Sequence, residues 1–273
     1  MSSAQAGAAS VAARTGVRAI GDALWAGWRG VVLQVHEARR SSNLIVHGIV
    51  QPLVVVSLGL YARGDADPAY VGQVIAGAAT LSLWTMVLWQ SGTMLLRDRM
   101  AGALATIMVR PYPLVAVLLG RTLLVALTTI ATNAVVIVVI LSVRSGPPPA
   151  LPGPVTMLIL AALAAGSAAC LGVLLSAVVV ASRGAAMVID TFIYVIFVLG
   201  GLLIPVDLLP AAVRWPAELV SLHHVAVMVV DRRIEAVPLL AVLGLSVAYL
   251  GAGIVLMGAA TRQARREGTL DLI

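Results

Sequence analysis

The feature that most constrains this chain is a run of 29 residues without a charge, Pro68 to Leu96. A bilayer core is spanned by about 20 apolar residues in a helix, so this run is long enough to cross one. Comparable runs lie near 44–61, 70–96, 114–143, 154–181, 186–204 and 237–260. In hydrocarbon each segment has to satisfy its own backbone N–H and C=O groups, which makes these runs helices. The expected fold is therefore an all-α integral membrane protein with six transmembrane helices. Composition agrees: 60% of residues are hydrophobic and 11% charged, where soluble domains are about a quarter charged.

All 18 basic residues are arginine. They flank the apolar runs rather than forming a basic face, which argues against a nucleic-acid partner. Six spans place both termini on one side, and 13 of the 18 arginines fall on that side. The positive-inside bias makes it cytoplasmic. Residues 1–20 read as a disordered cytoplasmic tail without a secretory signal, and 261–273 as a second cytoplasmic tail. Between them, 44–260 is the six-span domain. Residues 21–43 read as an interfacial amphipathic helix, with Leu24, Trp25, Trp28, Val31, Val32 and Val35 at three- and four-residue spacing. On the far side, "RSGPPPALPGP" forms a non-helical cap. Residues 205–236 read as a broken extracytoplasmic helix, one or two short pieces dipping into the outer leaflet or lying on it.

Chemical motifs are few. The chain has no H-E-x-x-H and no G-x-S-x-G, and without lysine it carries neither a P-loop lysine nor a Schiff base. Cys170 is the single cysteine, so an intrachain disulfide is excluded, and it reads as a small packing residue. His223 and His224 are adjacent and would face directions about 100° apart on a helix, a poor metal site. Asp190 is the one acid inside a span, seven residues after Arg183. It reads either as an arginine-paired interfacial carboxylate or as part of a substrate path. Asn133, midway along the third run, reads either as an interhelical hydrogen bond or as a path residue. Arg121 near the start of that run is placed to snorkel toward the interface. The fourth run is crowded with Ala, Gly and Ser, which lets helix backbones approach closely.

One stretch stands out between the second and third runs: "RDRMAGALATIMVRPYPLVAVLLGR". Met100, Leu104, Ile107 and Met108 share a helical face, Arg97, Asp98, Arg99 and Arg110 sit at its ends, and Pro111 stops it. The order of parts resembles the type-2 ABC exporter permeases. Gly102, Leu104, Pro111, Gly120 and Arg121 fit that family's cytoplasmic-loop motif, while Ala103 and Ala105 replace its usual Thr and acid. Gly201, Pro205, Leu209, Pro210, Leu222, His224 and Arg232 fit its outside motif. Within the family the chain looks most like daunorubicin-resistance and nodulation-factor export permeases.

The resemblance implies a permease subunit of an ATP-driven exporter in a bacterial plasma membrane. It is not itself an enzyme: ATP and Mg would sit on a separate cytoplasmic ATPase, and this chain would bind no cofactor or metal. The ATPase-coupling residues would be Arg97, Asp98, Arg99, Gly102, Leu104, Arg110 and Pro111. The C-terminal "EGTLD" copies the family's Gly-Thr-Leu-Glu and suggests a second cytoplasmic contact through Arg183, Glu267 and Gly268. The permease would work as a homodimer or paired with a similar chain. Aromatic-poor spans favour a hydrophobic or amphiphilic drug-like molecule or lipid as cargo. Alternatives are polysaccharide or glycolipid export within the family, an ATP-independent secondary transporter or channel, and a membrane-anchored assembly protein.

Overall fold

The computed structural model describes residues 21–37, 46–63, 67–102, 114–181, 191, 199–200 and 211–267. Among these residues the regular structure is all helical, with no strand. Helix α1 covers 21–37. A π turn at Val46–Val50 leads into α2, Gln51–Arg63. The long helices are α3 (Pro68–Met100), α4 (Leu114–Val143), α5 (Pro154–Ala181) and α8 (Ala236–Glu267), with short α6 (Ala211–Glu218) and α7 (Ser221–Val230) before the last.

Four helices are long and apolar enough to cross a membrane: Pro68–Met100, Leu114–Val143, Pro154–Val178 and Ala236–Gln263. They coincide with the second, third, fourth and sixth charge-free runs. The first run is a shorter apolar helix, Gly48–Tyr61. Most of the fifth, 186–204, lies outside the described residues, as does the tail 1–20. The last helix continues past residue 260 to Glu267.

The sequence sets the limits of α3 at both ends. Asp67 caps it, its Oδ1 accepting from the Ala69 N–H at 2.9 Å, and Pro68 fills the first turn where no N–H is needed. At the other end the Ala101 and Gly102 N–H groups fold back on the Arg97 and Arg99 carbonyls, and Gly102 takes a φ of 67°. That left-handed stop suits glycine, which has no Cβ to clash.

Helix α3 is the centre of the bundle. In its most apolar window 89% of residues are buried, against 50% for α5, 28% for α4 and 11% for α8. Small residues make this possible. A Cβ on Gly172 of α5 would meet the Ser91 Cβ at 2.1 Å, and Ser176 Oγ donates to the Ser91 carbonyl at 2.6 Å. Between α8 and α5, Gly253 gives similar closeness, with a Cβ there 3.0 Å from the Leu174 nitrogen. The small-residue crowding of the fourth run is thus helix packing, as its composition suggested. The proline-rich connection docks on the start of α3: the Ala150 N–H donates to the Pro68 carbonyl at 2.9 Å, and Gly72 leaves room for the Ala150 carbonyl.

The segment before α8 is broken as expected. Its second piece, α7, is deeply packed, with Leu222, Val225, Met228 and Val229 fully buried. The Tyr249 hydroxyl donates to the Leu219 carbonyl at the break between α6 and α7. Tyr249 lies about 20 Å along α8 from its first residue. The break therefore lies beside the body of α8 rather than its end, and a protein group satisfies its irregular backbone.

Candidate functional site

The arginine-rich end of the bundle is built on close helix contact. Helix α1 carries Gly27, Gly30, Gln34 and Glu37 at three- and four-residue spacing, one stripe of small and polar residues. This stripe, not the tryptophan face, meets the bundle. A Cβ on Gly30 would lie 2.2 Å from the Val117 carbonyl oxygen, and one on Gly120 would lie 1.9 Å from that of Gly27. Ala26, Gly30 and Gln34 are buried, while Leu24 and Trp28 are 71% and 63% exposed. Arg29 stacks on the Trp25 ring at 4.4 Å. The helix thus has two working faces: a small one against α4 and an aromatic one turned outward.

Backbone contact between α1 and α4 brings four charges together. Arg121 is buried, and each of its guanidinium nitrogens has an acceptor. Nη2 donates to Glu37 Oε2 at 2.6 Å, Nη1 to Asp98 Oδ2 at 2.6 Å, and Nε to Gln34 Oε1 at 3.3 Å. Arg97 Nε lies 2.9 Å from Glu37 Oε1, an ion pair without hydrogen-bond alignment. Two arginines and two carboxylates balance, which burial requires: an unpaired buried charge costs several kcal/mol. Rather than snorkelling outward, Arg121 turns inward and ties α1, α3 and α4 together. At 33 residues, α3 is about 50 Å long against a hydrocarbon core of about 30 Å. Its arginine end therefore has length to spare beyond the lipid.

A family model described as ABC-2 type transporter matches residues 28–231. The chain belongs to the ABC-2 type transporter family. Among curated proteins none matches it. As a member of this family it is the multi-pass membrane component of an ABC exporter, a permease; members of this family are generally not catalytic themselves and normally work with an ATPase subunit. The match takes in most of α1, the whole ion cluster and the broken segment up to the end of α7.

The geometry gives several of the motif residues a physical task. Gly120 admits α1 and Arg121 holds it, so the Gly-Arg pair works as one unit. Gly102 stops α3. In the outside motif, Leu222 is fully buried, the His224 ring bonds the Glu218 carbonyl at 2.9 Å, and Arg232 closes α7 with a φ of 56°.

Of the residues expected to couple to an ATPase, Arg97 and Asp98 belong to the inward cluster, and Arg99 lies beside it half-buried. Met100 is 75% exposed, and Gly102 is exposed where the chain leaves α3. Leu104, Arg110 and Pro111 lie outside the described residues, as do Arg183, Asp190 and Gly268. Glu267 is the last residue of α8, and its side chain lies outside the described residues. Asn133 bonds across helices: its Nδ2 donates to the Ala79 carbonyl at 2.8 Å and its Oδ1 accepts from Ser82 at 3.4 Å. Among the described residues no group of His, Cys, Asp and Glu is arranged to hold a metal ion.

The sequence reading overlooked Gln34, Glu37 and the buried role of Arg121. The available signal was the stripe of Gly27, Gly30, Gln34 and Glu37 opposite the tryptophans.

Proposed function

We propose that this chain is the membrane half of an ATP-driven exporter and that a soluble ABC ATPase docks on the stretch 97–111. The observation that carries the proposal is the cluster of Glu37, Asp98 and Arg97 around the buried Arg121, which fastens the start of that stretch, the end of α3, to α1 and α4. A push on the loop is then felt by α1, α3 and α4 together, as a rigid-body switch requires. Two such membrane halves, identical or similar, would pair around the cargo path in a bacterial plasma membrane, with both termini cytoplasmic. The outward tryptophans of α1 support its lying in the cytoplasmic interface. The cargo best suited to apolar, aromatic-poor spans is a hydrophobic or amphiphilic small molecule or lipid.

The test is co-expression with a candidate soluble ABC ATPase from the same genome, followed by co-purification and cargo export from vesicles. Met100→Glu changes an exposed residue and spares the ion cluster. It should abolish ATPase capture while the permease still inserts and folds. Export driven by an ion gradient with no ATPase present would establish a secondary transporter instead.

A further inference from the structure

A second feature lies near the other end of the bundle, beneath the proline-rich connection. Helices α3, α4 and α5 line a cavity of about 190 Å³ there. Its floor is α3, through the buried residues Ala79, Thr80 and Leu83. Its mouth, at Ala134, Pro154 and Leu158, is exposed. The lining of α5 ends at Ala161, about 10 Å along that helix from Pro154. The cavity therefore opens sideways, within the membrane, in the half nearest the proline-rich connection.

Two polar side chains line it, and both are already engaged. Thr80 Oγ1 donates to the Ala76 carbonyl at 2.8 Å, and Asn133 bonds Ala79 and Ser82. Each keeps some bonding capacity, but the other nine lining residues are apolar, so the cavity offers little to hold an ordered water. Left empty, its walls would forfeit dispersion contacts. The medium at the mouth is set by its neighbours. Leu127, Val135, Val138 and Leu158 are 55%, 63%, 61% and 59% exposed on helices of membrane length, so hydrocarbon surrounds the opening. The void exists because Ala79, Ala134 and Ala161 are small.

We infer that this cavity is a lateral binding site for one acyl chain of a membrane phospholipid, seated against α3 between α4 and α5. The chain fills the gap between these helices and reaches the otherwise enclosed central helix. The site does not depend on the ATPase reading.

The test uses the full-length protein in nanodiscs of phosphatidylcholine carrying a mid-chain diazirine. After photolysis, adducts are mapped by peptide mass spectrometry. The expected result is labelling of the floor, Ala79 to Leu83. Ala134→Phe with Ala161→Leu, which fills the cavity, should reduce that labelling to background. Labelling of the lipid-facing α8 residues Val247, Ile254 and Val255 should not change, which also reports that the variant remains folded. Ala161→Leu alone, a gentler filling, should give an intermediate loss. Floor labelling that is absent in the unaltered protein, or equal in the filled variants, would overturn the site. So would efficient disulfide cross-linking between two copies through Leu158→Cys in a Cys170→Ala background, because a second copy would then cover the mouth.

Discussion

The ion cluster at the arginine-rich end and the Asn133 contact in mid-membrane are both buried and polar, and both join helices. They differ in what they can lose. Arg121 serves two carboxylates and an amide, and removing it strands Asp98 and leaves Glu37 to Arg97 alone. Asn133 is a neutral amide with one good bond and one long one, and removing it strands only a carbonyl already bonded within α3. Charge therefore concentrates the mechanical tie at the end that leaves the lipid, and the mid-membrane interface relies on shape.

Substitutions separate the two regions. Arg121→Met should cost about 3 kcal/mol, since it breaks a buried ion network from its centre. The loss would be read as a lower unfolding temperature of the purified full-length chain. Arg97→Gln should stay within about 1 kcal/mol, because Arg97 meets one carboxylate and its side chain is 27% exposed. A comparable loss from both would mean that charge count, not the position of Arg121, stabilises this end.

Next in size is Gly120→Ala, at about 1–3 kcal/mol of overpacking, because a Cβ there runs into the Gly27 backbone. Hydrogen exchange should speed up across 21–37 and stay unchanged in α5. Gly102→Ala should cost about 1–2 kcal/mol through its left-handed backbone, seen as faster exchange in the last turn of α3. The smallest effect is expected for Asn133→Leu, at about 0.6 kcal/mol. If Asn133→Leu proved as damaging as Arg121→Met, the contrast between the two regions would fail.

The long helices were legible because a charge-free run has few other options in lipid. The small-residue face of α5 was legible for local reasons, whereas the stop of α3 at Gly102 was not: the apolar spacing through Met108 pointed to a helix carried on to Pro111. The ion cluster was not. Glu37, Asp98 and Arg121 are far apart in the sequence, and each looks like an ordinary flanking charge. Only the backbone contact of Gly27 and Gly30 with α4 makes them neighbours. The tryptophan face of α1 drew attention away from the opposite stripe: hydrophobic patterning marks the side that leaves water, and in a membrane protein that side can face lipid instead of the bundle. The order of helix burial was hidden as well, since α3 is the least apolar of the four long helices yet the most enclosed.

The central claim is that Arg121 and Glu37 fasten α1 to the bundle as one joint, and a double-mutant cycle tests it most directly. Unfolding free energies would be measured for the unaltered protein, Glu37→Gln, Arg121→Met and the double variant. The account predicts that the double variant loses less than the sum of the single losses by more than about 1 kcal/mol, as for residues in one network. Losses that add to within about 0.5 kcal/mol would contradict it.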